Sequence, residues 1–150
     1  MAVSDHIKEE FIYLDKSFSS KEEALRYMGS QLEENNVVKN TYVDAIIERE
    51  KIYPTGLMSS LYGVALPHTD SIHVNESCLS VAVLKDDIGF NDMGNPEGEV
   101  QIKVIIMMAL KDAKSQLDSL QALMQVLQDE NKLKSIIDSK KAKELIEAFN

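Results

Sequence analysis

The stretch that most constrains this chain is Ile102 to Leu110, in which Lys103 is the only polar residue. Side chains alternate across a β-strand, so a strand this apolar must be covered on both faces. The apolar run Val104–Leu110 is too short to cross a bilayer. The segment therefore predicts a central strand in a sheet with helices packed on either side.

The flanking sequence supplies those helices. Ser20-Lys21-Glu22-Glu23 has the form of a capping box, and Leu25, Met28 and Leu32 follow at helical spacing. Asn35-Asn36 suits the exit, which predicts a helix over 21–34. Thr41 opens a second helix with Val43, Ile46 and Ile47 inward, and Tyr53-Pro54 with Gly56 ends it. Ser115 is expected to open a long helix whose stripe is Leu117, Leu120, Leu123, Met124 and Leu127. Asp138-Ser139 precedes a last helix carrying Leu145, Ile146 and Phe149.

Strands fall between these helices. Val64–Leu66 is a short apolar run, and Ser77–Leu84 alternates around Leu79, Val81 and Val83. Gly89 to Gly98 reads as a turn region with a hairpin. The expected fold is α/β (α+β): a single mixed β-sheet flanked by helices on both faces. At 150 residues the chain has the size of one domain, so 1–150 is read as a single unit, with the polar residues 1–10 flexible.

Charge and cysteine content narrow the function. The 16 basic and 25 acidic side chains leave a net charge of −9, which argues against nucleic acid and anionic membranes as partners. A single cysteine, Cys78, permits no internal disulfide and no cysteine-built metal cage. Its place in an alternating strand makes it a core residue. No signal peptide or membrane insertion is read from the sequence, and the expected location is the cytoplasm. Glycine-rich nucleotide loops and the Gly-x-Ser-x-Gly nucleophile turn are absent. His68 and His73 lie five apart, which is not a one-face helical metal pair, so neither metal nor cofactor is expected.

Chemistry concentrates at Ala65-Leu66-Pro67-His68-Thr69. A buried strand delivers the chain to Pro67, whose ring fixes its own φ and holds Leu66 extended. His68 then stands at the strand exit, where a sheet presents ligand groups. A ring held there can serve as nucleophile or base near neutral pH, or simply sit satisfied in a turn. Arg49 fits a bidentate phosphate clamp or a solvated charge at a helix end. His73 fits a proton shuttle or a half-exposed strand residue. Thr69 fits a donor to His68 or to an oxyanion, or a turn cap.

Arg49-Glu50-x-x-Tyr53-Pro54-Thr55-Gly56-Leu57, followed by Gly63-Val64-Ala65-Leu66-Pro67-His68-Thr69, resembles the IIA components of the bacterial sugar phosphotransferase system, fructose/mannitol type. Tyr53-Pro54-Thr55-Gly56 with Ser71-Ile72-His73 is most similar to the galactitol-specific branch. The resemblance implies that His68 is phosphorylated by the histidine-phosphocarrier protein. It further implies onward transfer to a cysteine of a IIB component, and through it to a membrane IIC component. It places Arg49 near the histidine. Mannitol-type members carry a second histidine after the last buried strand, where this sequence has Gln116.

On that reading Arg49, Thr69 and backbone N–H groups of residues 68–70 hold the phosphate. A backbone acceptor or Asp70 fixes the tautomer of His68, with His73 and Gln116 nearby. The surface around His68 is expected to be apolar with an acidic surround. The alternatives are a regulatory nitrogen-type IIA protein acting through its phosphorylation state, and a non-catalytic interaction module. A metal- or cysteine-dependent hydrolase ranks below both.

Overall fold

The computed structural model describes residues 3–150. One five-stranded mixed sheet organises the chain. Its strands are β1 (Ile7–Lys16), β2 (Gly56–Met58), β3 (Gly63–Ala65), β4 (Cys78–Asn91) and β5 (Glu99–Ala109), in the order β1-β4-β5-β3-β2. β1 runs parallel to β4, β4 antiparallel to β5, β5 parallel to β3, and β3 antiparallel to β2. The helices are α1 (Lys21–Glu34), α2 (Tyr42–Ile52), α3 (Ala113–Gln128), α4 (Glu130–Asp138) and α5 (Ala142–Ala148). Among the described residues, no helix is long and apolar enough to cross a membrane.

The two faces of β5 carry separate cores, as its unbroken apolar run requires. Ile102, Ile105, Met107 and Ala109 pack with Leu25, Met28, Leu32, Tyr42 and Ile46 of α1 and α2. Val104, Ile106 and Met108 pack with Leu123, Leu127, Leu133, Ile136 and Leu145 of α3, α4 and α5. Strict alternation would put Ile102 and Val104 on one face. The pairing of β3 skips Lys103, with Gly63 opposite Ile102 and Val64 opposite Val104, so an irregularity there switches the face. Gly63 sits at that step, and a Cβ on it would run into the Gln101 carbonyl.

Local signals set most boundaries. The Ser20 side chain accepts from Glu23 N at 3.2 Å, as a capping box requires. The reciprocal half goes one residue upstream, because the Glu23 carboxylate takes the N–H and hydroxyl of Ser19. Asn36 closes the exit of α1 with φ 60°, a conformation asparagine tolerates. Thr41 is the N-cap of α2 but makes no side-chain cap bond. Its hydroxyl is bonded to Nδ1 of His73 at 2.7 Å.

Several expectations need correction. Where the sequence offered no element, Val3–His6 form a 3-10 turn and Ile7–Lys16 the edge strand β1, with Ile7 and Phe11 buried; Met1 and Ala2 lie outside the described residues. β4 continues through Gly89 to Asn91, so the hairpin turn is shorter than the Gly89–Gly98 span. α3 starts earlier than Ser115, because Asp112 is the cap and accepts from Ser115 N at 2.7 Å. Leu117 falls off the buried stripe and is exposed. The stretch before Asp138 is itself a helix, α4, capped by Asp129, which accepts from Lys132 N at 3.1 Å.

Candidate functional site

His68 follows the end of β3, on the extension Leu66-Pro67. This extension continues the sheet: Met108 N donates to the Pro67 carbonyl at 2.9 Å, and His68 forms a parallel bridge with Met108. Tyr42 of α2 is fully buried beneath it and donates its hydroxyl to the Met108 carbonyl at 3.0 Å. The histidine therefore stands at the end of the sheet, beside the β5 residue that Tyr42 of α2 holds, and its own side chain is half-buried.

The Nδ1 atom of His68 lies 2.8 Å from the Leu66 carbonyl oxygen. A carbonyl can only accept, so Nδ1 carries the proton and donates it. In the neutral ring the Nε2 lone pair is then free of the proton. Burial lowers the His68 pKa below the ordinary histidine value. The Leu66 carbonyl opposes that shift, and the positive charge of Arg49 adds to it. The site thus favours a neutral imidazole whose Nε2 carries no proton. Of the two tautomer-fixing groups expected, the backbone carbonyl is the one observed. Asp70 is exposed and makes no side-chain cap bond to the 3-10 turn Ser71–His73 that follows it.

Arg49 lies in the last turn of α2, within electrostatic reach of His68. Its guanidinium carbon stands 4.5 Å from the centroid of the Tyr53 ring. Its Nε is buried and has no hydrogen-bond partner among the described residues. Buried donors of this kind are normally satisfied, and a guanidinium is suited to anionic oxygens.

The other anticipated residues divide. Thr69 is buried, and its carbonyl accepts from Nε2 of Gln116 at 2.8 Å, which ties the segment after His68 to α3. His68, Arg49, Thr69 and Gln116 are thus joined through adjacent backbone or electrostatic contact. His73 is bonded through Nδ1 to Thr41, and its carbonyl accepts from Lys39 N at 2.8 Å. Ile72, Leu117 and Tyr53 are exposed apolar side chains, next in sequence to His73 and Gln116 and stacked under Arg49 respectively, and Asp70 and Asp112 are exposed. Cys78 is fully buried, and burial pushes its thiol up to about 12, so it is a core residue. Among the described residues, no group of three His, Cys, Asp or Glu side chains could hold a metal ion.

Two residues beneath the site escaped the sequence reading. Glu50 is 3% exposed, and its carboxylate accepts from Thr55 N at 2.7 Å and Thr55 Oγ1 at 2.8 Å. Thr55 Oγ1 in turn accepts from Leu66 N at 3.2 Å. Burial pushes the Glu50 carboxyl up to about 7, against the two bonds from Thr55 and the charge of Lys21. The signal was legible: Glu50 continues the inward spacing of Val43, Ile46 and Ile47, so a carboxylate occupies an apolar stripe position.

Known proteins share this arrangement of elements. The family model described as "Phosphoenolpyruvate-dependent sugar phosphotransferase system, EIIA 2" matches residues 5–150. The galactitol-specific EIIA component of Escherichia coli (strain K12) is 26% identical over 127 residues, covering 85% of this chain and 84% of that protein. The structure of the Escherichia coli complex of enzyme IIAMTL with phosphorylated enzyme IIBMTL superposes with a TM-score of 0.79 at 24% identity, covering 95% of this chain and 97% of that one. The nitrogen regulatory protein IIA-Ntr from Neisseria meningitidis gives a TM-score of 0.77 at 20% identity, covering 99% of each chain. These two structural likenesses bear on the fold, which is the mixed sheet with two helical layers expected from the sequence.

Proposed function

The chain belongs to the EIIA 2 family of the phosphoenolpyruvate-dependent sugar phosphotransferase system, and from that premise we propose that it is a cytoplasmic phosphocarrier with His68 as the residue that carries the phosphoryl group. The observation that carries the reading is the bond from His68 Nδ1 to the Leu66 carbonyl, which leaves Nε2 as the nucleophile.

In the first step Nε2 of His68 attacks phosphorus on the phosphohistidine of the histidine-phosphocarrier protein. A new N–P bond forms, the donor N–P bond breaks, and its electron pair returns to the donor ring. In the second step a IIB cysteine thiolate attacks the same phosphorus, and the His68 Nε2 lone pair is restored. Such transfers need in-line placement and charge stabilisation more than proton chemistry. Arg49 supplies the charge, and its unpartnered Nε and Tyr53-stacked guanidinium suit that task. Thr69, held by Gln116, keeps the N–H groups of residues 68–70 in place for the phosphate oxygens. Galactitol or another sugar alcohol is the cargo class suggested by the galactitol-specific relative. The IIA–IIB complex among the structural neighbours supports a IIB partner, and IIC would be reached through it.

Incubation with phosphorylated carrier protein, followed by mass-spectrometric mapping, tests this. Label on His68 that moves to a IIB cysteine is the expected result. Label elsewhere, or none, overturns the assignment; label on His68 that no IIB accepts points to a regulatory role.

A further inference from the structure

Arg49 and His68 do not account for the buried carboxylate of Glu50. Glu50 makes no ion pair among those observed in the described residues; its two hydrogen bonds both come from Thr55. A hydroxyl has one proton to give. Thr55 gives it to Glu50 Oε1, so an Oγ1 lone pair is left for Leu66 N–H. The same Leu66 N–H also reaches the Thr55 carbonyl at a longer 3.4 Å. Leu66 then offers its carbonyl to His68 Nδ1. Glu50, Thr55 and Leu66 are all buried, so water does not replace a contact that is lost.

We propose that Thr55, clamped by the Glu50 carboxylate, is a positioning residue for His68, acting through both polar groups of Leu66. The inference rests on the reading of His68 as the phosphoryl acceptor, and it adds what holds that ring. The Pro67 ring removes one backbone donor from the segment. Leu66 is left as the residue through which the α2 end and the β2 start grip the histidine. Loss of the Thr55 hydroxyl leaves Leu66 N–H only its longer bond to the Thr55 carbonyl, so Leu66 shifts and the Nδ1 bond lengthens or breaks. The tautomer preference of His68 weakens with it, and Nε2 is no longer aimed in line.

The test compares the intact chain with Thr55→Val and Thr55→Ser. The tautomer of neutral His68 is read by nitrogen-15 NMR, which needs no phosphoryl donor, and the transfer rate is read with phosphorylated carrier protein. Thr55→Val is expected to mix the two tautomers and to slow transfer by roughly 10- to 100-fold, the scale of a misplaced reacting group. Thr55→Ser, which keeps the hydroxyl, is expected to keep the Nδ1–H form and to transfer faster than Thr55→Val. If the valine variant does not fold, Thr55→Ala reads the same loss. A hydroxyl-free variant that folds with tautomer and rate unchanged overturns the proposal. So does one that loses only thermal stability while the His68 signals stay put. Absence of label on His68 in the unaltered chain would instead overturn the phosphocarrier reading, and the tautomer measurement would still decide the role of Thr55.

Discussion

The Leu66 carbonyl and the Nδ1 of His68, two residues along the chain, are hydrogen-bonded at 2.8 Å across Pro67. This one contact sets which nitrogen of the ring holds the proton and which is available. The electrostatics around it agree with that assignment: burial and the Arg49 charge both disfavour the imidazolium, and only the Leu66 carbonyl favours it.

His68 resists protonation. Its pKa lies below the ordinary histidine value, chiefly through burial and further through Arg49. An NMR titration of the His68 ring should therefore show its midpoint below 6.5, the unperturbed value. Arg49→Ala should move that midpoint upward, since a like charge is removed. A midpoint that stays fixed in the variant would separate Arg49 from the ring.

Arg49→Ala should also slow phosphoryl acceptance by about 100-fold, the scale of losing one preorganised charge stabiliser. Its thermal unfolding should change little, because no ion pair or hydrogen bond of the guanidinium is lost from the observed set. Stopped-flow transfer from the labelled carrier protein, beside a melting curve, checks both halves.

Glu50 predicts a slope of stability with pH. Its folded pKa is raised to about 7 from an unfolded value of 4.5. The folded state then holds the proton more tightly than the unfolded chain. The contribution is complete below pH 4.5 and is lost as pH rises through about 7. The full span is on the order of 3 kcal/mol. Urea unfolding of the unaltered chain and Glu50→Gln across this range should show a difference that narrows as pH falls. A difference independent of pH would mean that the carboxyl does not titrate there.

Gly63→Ala should cost roughly 1–3 kcal/mol, the range for forced overpacking. The added methyl meets the Gln101 carbonyl at the irregular step between β3 and β5. Because β3 leads into Leu66 and His68, the variant should lose transfer rate along with stability. Denaturant midpoints and the labelling rate together measure this.

What could be read from the sequence was what local chemistry decides. The span of α1 followed from Ser20 and the two asparagines, and the two-sided burial of β5 followed from its composition. β1 was missed because Lys8, Glu9 and Glu10 interrupt its apolar alternation, and its register shifts between Ile7 and Ile12. α4 was hidden by its shortness: Leu133 and Ile136 are its only buried side chains. At the site, the Pro-His segment named the imidazole. No local pattern could announce that Thr55 would meet Leu66, since that contact spans 11 positions and exists only once β2 pairs with β3.

Both ends of α2 grip the loop that carries the imidazole. At the start, Thr41 holds His73; at the finish, Arg49 and Glu50 reach His68 and the Thr55 that secures Leu66. The helix is therefore a gauge rod whose length is calibrated to the loop. Inserting or deleting one residue within it would swing everything beyond by about 100°. Drift of residue type along its outer side leaves the calibration intact, whereas a change in residue number would unseat one anchorage or the other.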